Sequence, residues 1–203
     1  MAMIVQDEEQ RIERALDSVR ALADEIVIVD GGSKDRTVEI AERYGARIIH
    51  AAFTGDFARQ RNLAIDAATK PWVLMLDADE FLESDLSELV GDLLGRLRHE
   101  RLVYLPWFNR LDERPDEPFA WPDRHPRLFR REVRYSSSLH EAPQVPHGPR
   151  IYLPITGPYV QHWKSLKEHY EDELRYEALS PGTYTPEYLR DIESYLRRLD
   201  PSA

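Results

Sequence analysis

Short apolar runs alternate with amphipathic stretches through the first half of the chain. The runs are "MAMIV" (1–5), "EIVIVD" (25–30), "ARIIHA" (46–51) and "PWVLML" (71–76). Runs with so few polar interruptions predict strands buried on both faces of a mainly parallel sheet. Between them the apolar positions switch to helical spacing. Ile12, Ala15, Leu16, Val19 and Leu22 form one stripe, with Asp7 as the expected cap. Ser33 or Asp35 is expected to open a second helix running to Tyr44, and Gly45 suits its left-handed stop. "GDFARQRNLAIDAAT" (55–69) reads as a loop and a helix. Ser84 is expected to cap a helix carrying Leu86, Leu89, Val90, Leu93, Leu94 and Leu97 on one side. Strand alternating with helix predicts an α/β fold with helices on both faces of the sheet.

The texture changes after about residue 100. "RLVYLPWFNRLDE" (101–113) reads as a longer, aromatic strand, and the arginine-rich "RHPRLFRREVRYSSSLHEAP" (124–143) as a hairpin. "RIYLPI" (150–155) and "YVQHW" (159–163) read as further short strands. Two helices close the chain as an extension. Ser165 and Glu168 make a capping box for the first. Thr185 and Pro186 open the second, whose stripe of Tyr188, Leu189, Ile192, Tyr195, Leu196 and Leu199 is a candidate face for a homodimer or for peripheral membrane contact.

Composition narrows the possibilities. In 203 residues, 37 acids exceed 27 bases, a formal charge of −10, which argues against a nucleic-acid partner. An anionic ligand therefore needs local positive charge, from a metal or from arginines. The absence of cysteine excludes disulfides, zinc–thiolate sites and thiol catalysis. No apolar run approaches the roughly 20 residues of a membrane helix. "MAMIVQDEEQ" lacks the pattern of a signal peptide, so the expected location is the cytoplasm.

In parallel sheets, ligands collect outside the carboxyl ends of the strands. Asp30 closes the second run and "DADE" (77–80) closes the fourth. Asp77 and Asp79, spaced i, i+2 at a strand end, can both reach one hard divalent cation; solvated turn acids are the alternative. Asp30 can accept hydrogen bonds from a nucleobase imide or a ribose hydroxyl, and the glycines after it allow close backbone approach. Arg124, Arg127, Arg130, Arg131 and Arg134 stand out in an acidic chain. They suit a diphosphate, a phosphorylated sugar or a lipid headgroup, or else a solvated strand surface; one or two are expected to reach the ligand. Trp107, Phe119 and Trp121 are candidates for stacking on sugar rings, or for buried anchors.

Four blocks, "MIVQDEE", "DEIVIVDGGSKDRTVEIAERYGARII", "FARQRNLAI" and "WVLMLDADE", follow in order and at close spacing. Together they resemble the nucleotide-sugar-binding half of family-two glycosyltransferases, which have the GT-A fold. In detail they look most like the bacterial branch that includes lipopolysaccharide-core glucosyltransferases. The resemblance implies a metal-dependent, inverting transferase that uses a nucleotide-diphosphate sugar, a UDP-sugar first. The acceptor implied is a glycan, a lipid-linked sugar or a small molecule of cell-envelope synthesis. It implies one domain, with a nucleotide-sugar-binding half over 1–100, an acceptor and catalytic half over 101–163 and C-terminal helices over 164–203. By the same resemblance, Asp30 holds the nucleobase, Asp7 and Glu8 form the loop under the nucleoside, and Arg61 lies near the donor. Asp77, Ala78 and Asp79 match the DxD motif that binds Mn2+ or Mg2+ through the diphosphate. Glu141, in "LHE", falls at the general base, and His162 at a further metal or diphosphate contact. Departures are the "HE" pair where many members carry "ED", and the loop "ERPDEPFAWPD" (113–123), which matches nothing in the family and suits a lid or an acceptor pocket.

Rival readings fit less well. A phosphatase of the haloacid-dehalogenase type also uses a strand followed by DxD, but its motif sits near the chain start and continues into Thr or Val. A sugar-phosphate nucleotidyltransferase would need a glycine-rich, basic N-terminal loop, and "MIVQDEEQR" is neither. A non-catalytic nucleotide-sugar-binding domain would not need Asp30, Asp77, Asp79 and Glu141 intact.

Overall fold

The computed structural model describes residues 1–111, 123–136, 142–145 and 147–199. Its first half runs β1 (Ala2–Val5), α1 (Ile12–Val19), β2 (Val27–Asp30), α2 (Thr37–Arg43), β3 (Arg47–His50), α3 (Phe57–Ala67), β4 (Trp72–Leu74), β5 (Glu80–Leu82) and α4 (Ser84–Leu94). Its second half runs β6 (Leu102–Leu111), β7 (Asp123–Arg130), β8 (Arg134–Ser136), β9 (Ala142–Gln144), β10 (Arg150–Tyr152), β11 (Val160–Lys164), α5 (Leu166–Leu179) and α6 (Pro186–Leu199). β1, β2 and β3 pair in parallel, and a parallel bridge from Ala2 to Met75 joins them to the continuation of β4. From β4 the order is β4-β7-β6-β11-β5, with β10 also on β6. β7 runs antiparallel to β4 and β6, while β10 and β11 run parallel to β6.

Strand alternation explains why the runs are apolar throughout. Met3, Val5, Ile28, Leu74 and Leu76 face one layer with Ile12, Leu16 and Val19 of α1 and Leu86 and Val90 of α4. Ala2, Val27, Val29, Val73 and Met75 face the other, against Ala64 and Ile65 of α3. Both faces are thus covered, as expected of an α/β sheet. Truncating a core residue such as Leu86, which is fully buried, costs about 2–5 kcal/mol.

Several local expectations shift. Asp7 does not cap α1. It sits at φ 57° and its carboxylate accepts from the Lys34 N–H at 2.7 Å, so it caps the neighbouring turn instead. Ser84 lies inside α4, and the preceding Glu83 spends its carboxylate on Tyr159 and Gln161. Asp35 accepts from the first amide of α2, Thr37, at 2.9 Å. Gly45 takes the left-handed φ of 72° that ends α2, and the Ser165–Glu168 capping box is present. The stripe of α6 meets α5: Ile192 is buried and Tyr195 stands edge-on to Tyr170. Among the described residues, no helix is long and apolar enough to cross a membrane.

Candidate active site

β1 and β2 end side by side, and the backbone of Leu76 donates to Ala2, so residues 75–77 extend along β1. Asp30 and the acids after Leu76 therefore emerge at one edge of the sheet. The turns there are laced together. The Asp7 amide donates to Ser33 Oγ at 3.0 Å, the Glu8 amide to Thr37 Oγ1 at 2.7 Å and the Glu9 amide to Asp35 at 2.9 Å. This fixes the loop after β1 against the turn after β2.

A cleft of 810 Å³ opens above this edge. Of the residues singled out in the sequence, Asp7, Glu8, Arg61, Asp77, Asp79 and His162 line it, with Ala78 between the two aspartates. Asp30 is buried beside the cleft, its carboxylate 2.9 Å from the Ser33 N–H and 3.2 Å from His50 Nδ1. Burial opposes its ionisation, but the hydrogen bonds from Ser33 and His50 prevail and keep its carboxyl below the ordinary range. Glu141 and His140 lie outside the described residues, as do Phe119 and Trp121.

Asp77 follows Leu76 and so turns toward α3. There Arg61 Nη1 stands 2.7 Å from its Oδ1, and Arg127 Nη2, from β7, 3.0 Å from its Oδ2. Burial would raise the Asp77 carboxyl, yet the two guanidiniums hold it down at about 2. Arg127 also pairs with Glu80, which accepts from Trp107 Nε1 at 2.7 Å. Glu80 is fully buried, and its burial pushes its carboxyl up despite Arg127. Trp107 stacks on His125 at 4.3 Å and on His162 at 4.9 Å, the work of an anchor.

Asp79 points the other way, to β11. Its Oδ2 lies 3.0 Å from His162 Nε2 and 3.5 Å from Lys164 Nζ. Burial again opposes its charge, and His162, Lys164 and Arg11 outweigh that and hold it well below the carboxylate range. Lys164 also reaches Asp172 of α5 at 3.0 Å. The other ring nitrogen of His162 meets Asn109 Oδ1 at 2.7 Å. An amide oxygen only accepts, so Nδ1 carries a proton, and Nε2 donates to the Asp79 carboxylate, itself an acceptor. Asp79 Oδ2 and Nε2, once rid of that proton, suit a shared cation. Their 3.0 Å separation is also that of two neighbouring ligands, each roughly 2.1 Å from an octahedral ion. Among the described residues, no three or more His, Asp or Glu converge as a metal cage.

Residues that the sequence reading passed over complete the site. Arg11 pairs with Glu8 at 2.8 Å and with Glu168 of α5 at 3.1 Å. Phe53 and Phe57, 4.6 Å apart, form an aromatic wall with Tyr176 of α5. Lys164 was legible: it sits two positions after His162 and so shares its face. Arg127 was one of five conspicuous arginines, but nothing local marked it out from the others.

A family model described as "Glycosyl transferase family 2" matches residues 2–143. An uncharacterized glycosyltransferase of Rickettsia conorii is 32% identical over 179 residues, covering 82% of this chain and 63% of its own. The lipopolysaccharide core biosynthesis glycosyltransferase LpsC of Rhizobium meliloti is 32% identical over 160 residues, 72% of this chain and 56% of its own. A TPR repeat-containing protein of Synechococcus elongatus is 36% identical over 143 residues, 70% of this chain and 34% of its own. The chain thus spans between a third and under two thirds of these relatives. Among solved structures, S. aureus TarS 1-349 in complex with UDP-GlcNAc superposes with a TM-score of 0.62 at 15% identity, over 97% of this chain and 64% of that one. At that identity the likeness speaks to the fold.

Proposed function

The chain belongs to glycosyl transferase family 2, and on that premise we propose that it moves a sugar, with inversion, from a nucleoside-diphosphate sugar to an acceptor hydroxyl. The observation that carries this reading is the convergence of Arg11, Arg61 and Lys164 with Asp77, Asp79 and His162 in one cleft at the strand ends. In a molecule of net charge −10, whose cleft cations Arg11, Arg61 and Lys164 are paired with carboxylates, a divalent ion would supply the further positive charge a diphosphate needs. Asp30 takes the nucleobase side, and the rigid Asp7–Glu8 turn underlies the nucleoside. TarS has this fold and holds UDP-GlcNAc, so a UDP-sugar is the donor to test first.

Asp79 and His162 would hold Mn2+ or Mg2+, and such an ion neutralises charge on a leaving diphosphate. Asp77, engaged by Arg61 and Arg127, acts first as the anchor that aims those guanidiniums. Glu141 is assigned as the general base. It takes the proton of the acceptor hydroxyl as that oxygen attacks the anomeric carbon from the face opposite the diphosphate. The acceptor class, a glycan, a lipid-linked sugar or a small molecule of envelope synthesis, follows the likeness to LpsC.

The test is thermal denaturation with UDP-glucose and UDP-GlcNAc, each with and without Mn2+. A ligand at 100 times its Kd stabilises by about 2.7 kcal/mol. Metal-dependent stabilisation is the expected result; indifference to every nucleotide sugar in both conditions refutes the reading.

A further inference from the structure

The conspicuous arginines part company in the fold. Arg127 turns to the cleft beside Asp77, and Arg124 bonds the Leu153 carbonyl. Arg130, Arg131 and Arg134 collect at the opposite end of the sheet, where β4, β6 and β10 begin and β7 ends. Backbone bonds stitch that end: Arg131 to Pro71, Arg130 to Arg101 and Arg101 to Pro149, each 3.0 Å. Arg98 and Arg101 join the group from the segment leading into β6, and the five arginines line a second cleft, of 710 Å³.

Of the two acids of this cleft, Glu132 is held in an ion pair and Glu100 keeps its charge while bonded to backbone amides. Glu132 pairs with Arg101, and the Glu100 carboxylate accepts the backbone N–H groups of Arg98 and His99 at 2.8 and 3.0 Å. Arg134 pairs with Asp66 at 2.7 Å. The other three guanidiniums bond to carbonyls. Arg98 reaches Gly95 and Leu97, Arg130 reaches Glu100 and Arg98, and Arg131 reaches Ala68 at 3.1 Å. Arg130 also lies over the Trp72 ring at 4.3 Å. Carbonyls and a ring aim a guanidinium without cancelling its charge. Among the described residues, no carboxylate lies in ion-pair contact with Arg98, Arg130 or Arg131.

Five arginines against Glu100 and Glu132 leave this cleft net positive, and three guanidiniums without an ion-pair partner among the described residues focus that potential in an otherwise negative molecule. A guanidinium fork matches two oxygens of a phosphate. We propose that this second cleft binds a phosphate group, carried either by a free sugar phosphate or by a lipid headgroup. It lies at the pole away from Asp77 and Asp79, so the group bound there is not the donor diphosphate. The site anchors a second ligand, and the inference stands apart from the transferase reading.

Two arms test it at low ionic strength on the full chain. One titrates glucose 6-phosphate by calorimetry; the other sediments the protein with phosphatidylcholine vesicles with and without phosphatidylglycerol. Binding is expected in at least one arm, and that arm names the source. In that arm, Arg98→Gln with Arg131→Gln should weaken binding at least about tenfold, since each removes a charge-assisted contact. Glu132→Gln, which frees Arg101, should tighten it, and Arg61→Gln should leave it unchanged. Opposite signs for the arginine and glutamate changes separate ligand binding from a purely structural role. Binding in neither arm, indifference to both sets of changes, or loss with Arg61→Gln instead overturns the proposal.

Discussion

Asn109 holds His162 in place: its Oδ1 lies 2.7 Å from Nδ1, and the opposite ring nitrogen faces Asp79. The two residues are partners in register on β6 and β11, so the backbone ladder sets the contact. If His162 helps to hold an ion, Asn109 tunes it from behind. Asn109→Leu is expected to lower Mn2+-dependent UDP affinity about 10- to 100-fold while the fold persists. Calorimetric titration of Mn2+ and UDP decides; undiminished affinity would reduce Asn109 to packing.

Asp79→Asn keeps the side-chain shape and removes its charge. Lys164 retains Asp172, so no cation is stranded. The variant should fold with a lowered melting temperature, because its ion pairs with His162 and Lys164 are lost, and should also lose the metal-dependent part of its stabilisation by UDP-sugars. Retention of that part would break the assignment.

Glu80 is buried and Arg127 nearly so, and each compensates the other. Arg127→Met strands Glu80 beside Asp77 and should cost about 3–5 kcal/mol in denaturant unfolding. Arg127→Met with Glu80→Gln should cost clearly less. Equal losses in the single and the double variant would mean that the ion pair contributes nothing of its own.

Glu8 supplies a pH signature. Burial, opposed by Arg11, raises its carboxyl from 4.5 to about 7. The folded chain therefore holds this proton more tightly than the unfolded chain, and stability falls as pH rises from about 4.5 through about 7. Glu8→Gln removes the loss and should stabilise the protein at pH 8, by up to about 3 kcal/mol less a discount for residual exposure. Melting curves of both proteins across that range provide the check. Parallel pH profiles would show that Glu8 titrates normally.

Glu141→Gln should leave UDP-sugar binding intact and remove transfer, because only the proton acceptor is lost. Donor consumption and donor affinity, measured side by side, separate the two. Turnover at the wild-type rate would send the search for the base elsewhere.

Local pattern was enough where local physics decides. The apolar runs gave the strands because both faces of this sheet are covered, and Ser165–Glu168 capped α5 because the box is closed within four residues. It failed where a distant partner decides. Nothing in "DADE" sets Glu80 apart from the other acids, yet it opens β5 and is sealed by Arg127 and Trp107, residues far along the chain. Asp7 is spaced to cap α1, but the Lys34 amide claims its carboxylate. The cationic pairing of Asp77 and Asp79 was hidden for the same reason, since their partners come from α3, β7 and β11.

The wall that α5 lends to the cleft, through Asp172 and Tyr176, comes from residues beyond 143, where the match to the family model ends. Severing the chain there would leave the pocket roofless and strip it of His162 and Lys164. Under the proposed function, exchanging that tail between relatives is expected to alter which donor the groove accepts while its aspartates stay untouched.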